Sequence, residues 1–326
     1  MGNGDIMTAP GKKKIVLSQT CQGLVLERLL MASKELQEHF SCTFIPNYEI
    51  LDGKTSVASS DDLATALGDC DILIYHDVSS YDFPSLIRKM PPGAQTIKIP
   101  YITSNIYWPT LDFKNPCWLS PHGSTAHIPW PCVALNELIV AERDKKKAID
   151  AYLALDLAQV VPLDAVRENQ IGYLRAAEKD SIFHLADYVE QNFIERQLFH
   201  LINHPAMPVF LEVANTIFQF LGIRRLQKYA YDPFHNHQIP LHPSIIRHYN
   251  ITWCDETTKF TILDKSMCFE EYVNFYVDLY IEKYQYTMFP VPQKPFRGKF
   301  TPWRKLKDAL AGRMKSPRAG AGLFSS

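Results

Sequence analysis

Net charge is the first thing this sequence lacks. Its 326 residues carry 34 Lys and Arg against 35 Asp and Glu, a formal charge of -1. With no basic sheet or stripe in the body of the chain, there is no global argument for a nucleic-acid partner. Long apolar runs are missing too. None approaches the roughly 18 residues of a membrane-spanning helix. The longest candidates, near 209–221 and 269–284, are broken by Glu212, Asn215, Asp278 and Glu282. The start, residues 1–7, lacks the apolar core of a secretory signal. The cysteines at 21, 42, 70, 117, 132, 254 and 268 are odd in number and irregularly spaced, with no CxxC pair. That argues against a disulfide framework or a structural zinc site and for a reducing compartment, the cytoplasm by elimination. GxGxxG, a Walker loop, HExxH and GxSxG are all absent, so a nicotinamide or ATP enzyme has no support. No internal repeat or low-complexity segment is found.

The most informative stretch that is present is 14–30. Ile15, Val16 and Leu17 read as a buried strand, broken by Ser18, Gln19 and Thr20. From Leu24 the apolar spacing turns helical and continues to about His39. Cys21 therefore falls where a strand ends and a helix begins. Unpaired amides and the positive helix end there favour the thiolate, the nucleophilic form of cysteine. The amides of Gln22 and Gly23 could also hold a developing oxyanion. Gly23 lets the backbone approach a ligand closely. An ordinary buried cysteine in a strand–turn–helix fits the local pattern equally well.

Further strands are predicted at 43–50, 71–75 and 94–100, with a short helix at 61–67. Alternating strands and helices predict a small parallel sheet that binds ligands beyond its carboxyl ends. Three polar-aromatic segments then meet at one edge: 18–23, 76–80 and 101–107. Helices are predicted over 133–157, 163–178, 182–199, 209–221 and 269–284. The fold class is α/β and predominantly helical. A small parallel sheet occupies the N-terminal part and a larger helical part follows. The expected organisation is a disordered 1–11, an α/β part over 12–132, a helical part over 133–290 packed with it, and a basic tail over 291–326.

That tail holds Lys294, Arg297, Lys299, Arg304, Lys305, Lys307, Arg313, Lys315 and Arg318. Trp303, Leu306, Leu310 and Met314 can share one helix face above those cations. Such a helix packs on its own domain, docks on a partner, or lies on an anionic membrane surface.

A reactive Cys21 needs a base. His204 precedes Pro205 at a forced break in helical structure, and His76 follows the strand 71–75. His122 and His127 lie in a Pro- and aromatic-rich loop over 109–132. His235, His237 and His242 have a spacing that a metal could use, yet only Asp232 is near enough to complete a set, so no metal is expected. Ser79, Ser80, Ser104, Asn105 and Tyr107 fall on the predicted sheet edge and are candidate cofactor or sugar contacts.

Several short motifs in a fixed order resemble the WcbI family of capsular polysaccharide-biosynthesis acetyltransferases. They are the strand followed by Cys21-Gln22, the strand ending Lys98-Ile99-Pro100 before Tyr101, the segment 174–180 with 182–199, and Asn203-His204-Pro205 before a helix ending at Gly222. The resemblance covers roughly 14–285. Family members often carry Asn before the Cys-Gln pair, where this chain has Thr20. The resemblance implies acetyl transfer from acetyl-coenzyme A to a sugar hydroxyl, with Cys21 and His204 in catalytic positions and Gln22 in the N-terminal motif. It implies a coenzyme A cleft and a nucleotide-linked, lipid-linked or polymeric sugar acceptor. A cytoplasmic enzyme, peripheral at the inner membrane through its tail, fits that role. Two other readings stay open. One is an SGNH-like esterase, although its Gly-Asp-Ser motif is absent. The other is a non-catalytic scaffold in a capsule-assembly complex.

Overall fold

The structure, a computed structural model, describes residues 11–51, 54–57, 60–76, 81–111 and 131–285. Expectations resting on 1–10, Ser79, Ser80, His122, His127 and the tail 291–326 lie outside those residues. No helix among the described residues is long and apolar enough to cross a membrane.

The chain opens with β1 (Lys13–Gln19), α1 (Cys21–Met31), α2 (Lys34–His39) and β2 (Phe40–Pro46). A hairpin of β3 (Tyr48–Leu51) and β4 (Lys54–Val57) leads to α3 (Ser60–Leu67) and β5 (Ile72–Tyr75). Then come α4 (Phe83–Ile87) and β6 (Gln95–Lys98). The main sheet is wholly parallel, in the order β2-β1-β5-β6. Its central strand β1 is buried from Ile15 through Gln19. A parallel strand covered on both faces has to be apolar on both, which is why 15–17 is a continuous run rather than an alternation. Val16 and Leu73 pack with Leu63 and Leu67 of α3 and Phe83 and Leu86 of α4. Leu26, Leu29 and Leu30 give α1 a fully buried face.

Helices dominate the rest. They are α5 (Val133–Glu142), α6 (Lys145–Leu153), α7 (Leu163–Ala177) and α8 (Leu185–Asn192). A two-stranded turn of β7 (Phe199–Leu201) and β8 (His204–Pro205) precedes α9 (Met207–Phe220). Gly222 ends that region with φ 72, the left-handed conformation that glycine adopts without penalty. The chain finishes with α10 (Pro243–Tyr249), the hairpin β9 (Phe260–Ile262) and β10 (Lys265–Met267), and α11 (Phe269–Gln285).

Three predicted helices are shorter than their apolar spacing suggests, each for a local reason. The first stops at Met31 because the Ser33 hydroxyl accepts from Leu36 N and starts α2. The span 133–157 is divided at Arg143, with φ 51, and Asp144 caps α6 by accepting from Lys147 N. The span 182–199 is helical only over 185–192. There Arg196 N closes on Asn192 O, and Leu198 O accepts from Ala206 N instead of continuing a helix.

Two compact units result, each drawn from two stretches of chain. The first comes from Met1–Ser104 and Ile171–His237, the second from Asn105–Gln170 and Gln238–Ser326. The passage from one unit to the other falls inside α7.

In the second unit, a cavity of about 30 Å³ lies among Thr110, Cys132, Tyr152, His242, Tyr272 and Tyr276. His242 is buried at the start of α10, with Nε2 3.1 Å from Tyr152 O and Nδ1 accepting from Ser244 N. Burial holds its pKa down at about 4 against an ordinary 6.5. The folded state thus keeps His242 neutral, while the unfolded chain takes up a proton below pH 6.5. Stability is full above that pH and is lost as pH falls toward 4, by about 3 kcal/mol. Urea unfolding at pH 7 and pH 4 should show this loss, and His242→Gln should start less stable but lose less on acidification. Equal acid losses in both proteins would contradict the assignment.

Candidate functional site

The first unit gathers its chemistry at the carboxyl end of β1. Ser18 and Gln19 are buried there, Thr20 is extended, and Cys21 is the first residue of α1. The strand-to-helix position predicted for Cys21 is the one observed. Its thiol faces the Thr20 hydroxyl and the amides of Cys21 and Gln22. The predicted thiolate is not what results. Burial, the largest influence, pushes the Cys21 pKa up from the ordinary thiol value, and the polar groups of the turn recover only part of it. At rest the group is a thiol.

Of the two amides expected to hold an oxyanion, Gln22 N faces the sulfur. Gly23 N is used inside the turn, donating to Thr20 O at 2.9 Å. The close approach that requires a glycine at 23 is to the sheet. An added Cβ would stand 2.9 Å from Gln19 Cβ and closer still to the Phe44 ring of β2. Gly23→Ala should therefore destabilise the protein by about 1–3 kcal/mol through overpacking, despite the better helix propensity of alanine. Thermal melting checks this, and an unchanged or raised Tm would contradict it.

The Gln22 side chain ties three segments together. Its Nε2 donates to Ile102 O at 2.7 Å and to Asn203 O at 3.0 Å, and its Oε1 accepts from Ile102 N at 3.3 Å. Alongside, Thr103 Oγ1 and Ser104 N both donate to Ile202 O, at 3.0 and 2.8 Å. So the start of α1, the segment following β6 and the turn between β7 and β8 are locked to one another around Cys21.

Tyr101 completes the surround. Burial raises its pKa to about 12, the neighbouring Cys21 adds to the rise, and a hydrogen bond with the Asn203 side chain opposes it. Tyr101 is therefore a neutral phenol that interacts electrostatically with Cys21. Its ring lies 5.3 Å from that of His76, centroid to centroid. His76 is buried at the end of β5, with Nε2 3.3 Å from Asn47 Nδ2, and Asn47 N donates to Gln19 O. His204 follows Asn203 on β8 and is buried, its ring stacked on Phe234 with centroids 4.2 Å apart.

The predicted residues thus separate into groups. Cys21, Gln22, Gly23, His76, Ser104 and His204 all belong to the first unit. Asn105 and Tyr107 belong to the second, where Asn105 O accepts from Trp108 N and the Tyr107 ring packs on Trp108 and Trp253. Tyr101, Asn203 and Asn47 are site neighbours that sequence reasoning did not single out. Tyr101 and Asn203 stand within motifs it did quote, and a residue directly after a parallel strand is the signal that could have marked Tyr101. Among the described residues no group of three or more His, Cys, Asp or Glu side chains is placed to hold a metal ion.

Comparison with known proteins gives one strong likeness. The family model described as polysaccharide biosynthesis enzyme WcbI matches residues 14–226. A solved structure of WcbI, described as a novel polysaccharide biosynthesis enzyme in its native form without a disulfide bond between COA and a cysteine, superposes with a TM-score of 0.71. It is 19% identical, and the match covers 92% of this chain and 99% of that one. A mutant, metal-free periplasmic metal binding protein from Candidatus Liberibacter asiaticus also matches, at 14% identity over 83% of this chain and 99% of the other. Its TM-score of 0.20 carries no argument. The curated proteins contain no match. With about two thirds of its length matched by the family model, the chain belongs to the family of the polysaccharide biosynthesis enzyme WcbI.

Proposed function

We propose that this protein transfers an acetyl group from acetyl-coenzyme A to a sugar hydroxyl, with Cys21 as the acyl carrier. The observation that carries the reading is the thiol on the first turn of α1, flanked by the amides of Cys21 and Gln22 and by Tyr101. Support also comes from the related WcbI, whose description names a disulfide between COA and a cysteine as a feature its native form lacks. A cysteine that can form that bond lies beside the thiol end of coenzyme A, where the acetyl group is carried.

The chemistry is balanced in two steps. The Cys21 sulfur attacks the thioester carbonyl carbon while an imidazole takes the thiol proton. The carbon–sulfur bond to coenzyme A breaks, and coenzyme A leaves with that proton. One thioester has replaced another, so the step is near thermoneutral. A sugar hydroxyl then attacks acetyl-Cys21, gives its proton to the imidazole, and leaves as the ester while Cys21 regains a proton. The oxyanion in each step is held by the Gln22 amide. His204 and His76 are the candidate bases. Because the resting group is a thiol, proton removal accompanies attack and does not precede it.

The acceptor is a nucleotide-linked, lipid-linked or polymeric sugar of capsule synthesis, and the enzyme acts in the cytoplasm or at the inner face of the membrane. Calorimetry with coenzyme A tests the first requirement. The expected result is saturable heat and a raised Tm, and a flat titration with no thermal shift would count against the whole reading. Release of acetate from simple esters without coenzyme A would point to an esterase instead.

A further inference from the structure

Residues 227–237 lie beyond the stretch matched by the family model. They nevertheless pack on the imidazole that follows Asn203. The Phe234 ring is parallel to that of His204, with centroids 4.2 Å apart and planes 5° apart. The His237 ring lies 5.3 Å from His204 at 25°. Phe234 is itself backed by Phe210 of α9, at 5.9 Å.

A single carboxylate anchors this segment. Asp232 Oδ2 lies 2.8 Å from His200 Nε2 and accepts from Met207 N at 3.3 Å, and Oδ1 accepts from Phe234 N at 3.0 Å. His200 belongs to β7 and Met207 opens α9, so Asp232 binds the Phe234 segment to both flanks of the turn that carries His204. His200 is buried, and its Nδ1 lies 3.2 Å from Gln197 Nε2. Burial works against the Asp232 charge, but the bonds from His200, Phe234 N and Met207 N hold its carboxyl below the ordinary range, so it is anionic at neutral pH.

We infer that Phe234 is a positioning residue that sets the plane of the His204 imidazole, and that Asp232 is the latch keeping Phe234 against it. This rests on His204 acting as the proton acceptor in acetyl transfer. A histidine ring turns freely about its last side-chain torsion, whose wells are broad. A base that must present one nitrogen to a hydroxyl needs that plane fixed, and small misplacements are expensive in rate. A parallel ring at stacking distance fixes it without occupying either nitrogen. The carboxylate latch then makes the stack depend on residues that touch no reacting atom.

The test uses the full-length protein with isotope-labelled histidine rings. His204→Gln identifies the His204 resonances. In the native protein those ring protons should be shifted upfield by the Phe234 ring current. Phe234→Leu should abolish the shift, Asp232→Asn should diminish it, and Phe234→Tyr should retain it. With acetyl-coenzyme A and acceptor, the Leu and Asn variants should lose about tenfold or more in kcat at nearly constant KM, with Phe234→Tyr close to native. Unmoved His204 signals in Phe234→Leu would overturn the inference. So would a kcat loss in Phe234→Leu that Phe234→Tyr shares. Absence of acetyl transfer in the native protein would sink the function reading alone, since the ring-current shift still decides whether Phe234 and Asp232 hold His204.

Discussion

With Cys21 as the proposed acyl carrier, replacing it with serine should lower kcat for acetyl transfer by at least about a thousandfold, the scale on which removal of a covalent nucleophile acts. Serine keeps the shape and the hydrogen-bonding position at the start of α1, so folding and coenzyme A binding should survive. The hydroxyl is a far weaker nucleophile at neutral pH, and moving the acyl group onto it exchanges a thioester for an ester that is harder to discharge. KM for acetyl-coenzyme A should therefore change little, because the lost interaction exists only in the transition state. Steady-state release of coenzyme A, read beside a thermal melt, separates loss of chemistry from loss of fold. Unaltered turnover in Cys21→Ser would mean direct transfer to the sugar, with the sulfur only lining the pocket.

The second large effect falls on stability. Gln22→Ala leaves Ile102 N, Ile102 O and Asn203 O without the partner that now satisfies them. Each buried backbone group left unsatisfied costs about 1–3 kcal/mol, so a loss of about 3 kcal/mol or more is expected. Gln22→Glu is the sharper variant. It has nearly the same shape but loses both donors, and it sets a carboxylate against two carbonyl oxygens. It should be at least as unstable as Gln22→Ala in urea unfolding. A stable Gln22→Glu protein would show that the amide is not the link between α1, the segment after β6 and the β7–β8 turn. Activity should fall in both variants, since that link holds Tyr101 and Asn203 around Cys21.

Much of this arrangement was legible in the residues. Ile15–Leu17 has to be a buried strand, and Ser18–Thr20 has to end it, so Cys21 was placed at the sheet edge by pattern alone. The parallel sheet and the helical remainder followed from the alternation of periods. What stayed hidden depends on three-dimensional burial. The thiolate expectation counted the helix end and could not count the desolvation that outweighs it. Gly23 read as an opening for a ligand, and only the position of the Phe44 ring shows that the sheet fills that space. The role of the Gln22 amide depends on carbonyls 80 and 181 residues away.

Whether Cys21 carries the acyl group can be read by mass spectrometry of the peptide containing it, after acid quench of the protein mixed with acetyl-coenzyme A and no sugar. One acetyl group per chain is expected on that sulfur, formed with a matching burst of free coenzyme A and discharged when acceptor is added. An unmodified Cys21 in a protein that still acetylates its sugar would contradict it.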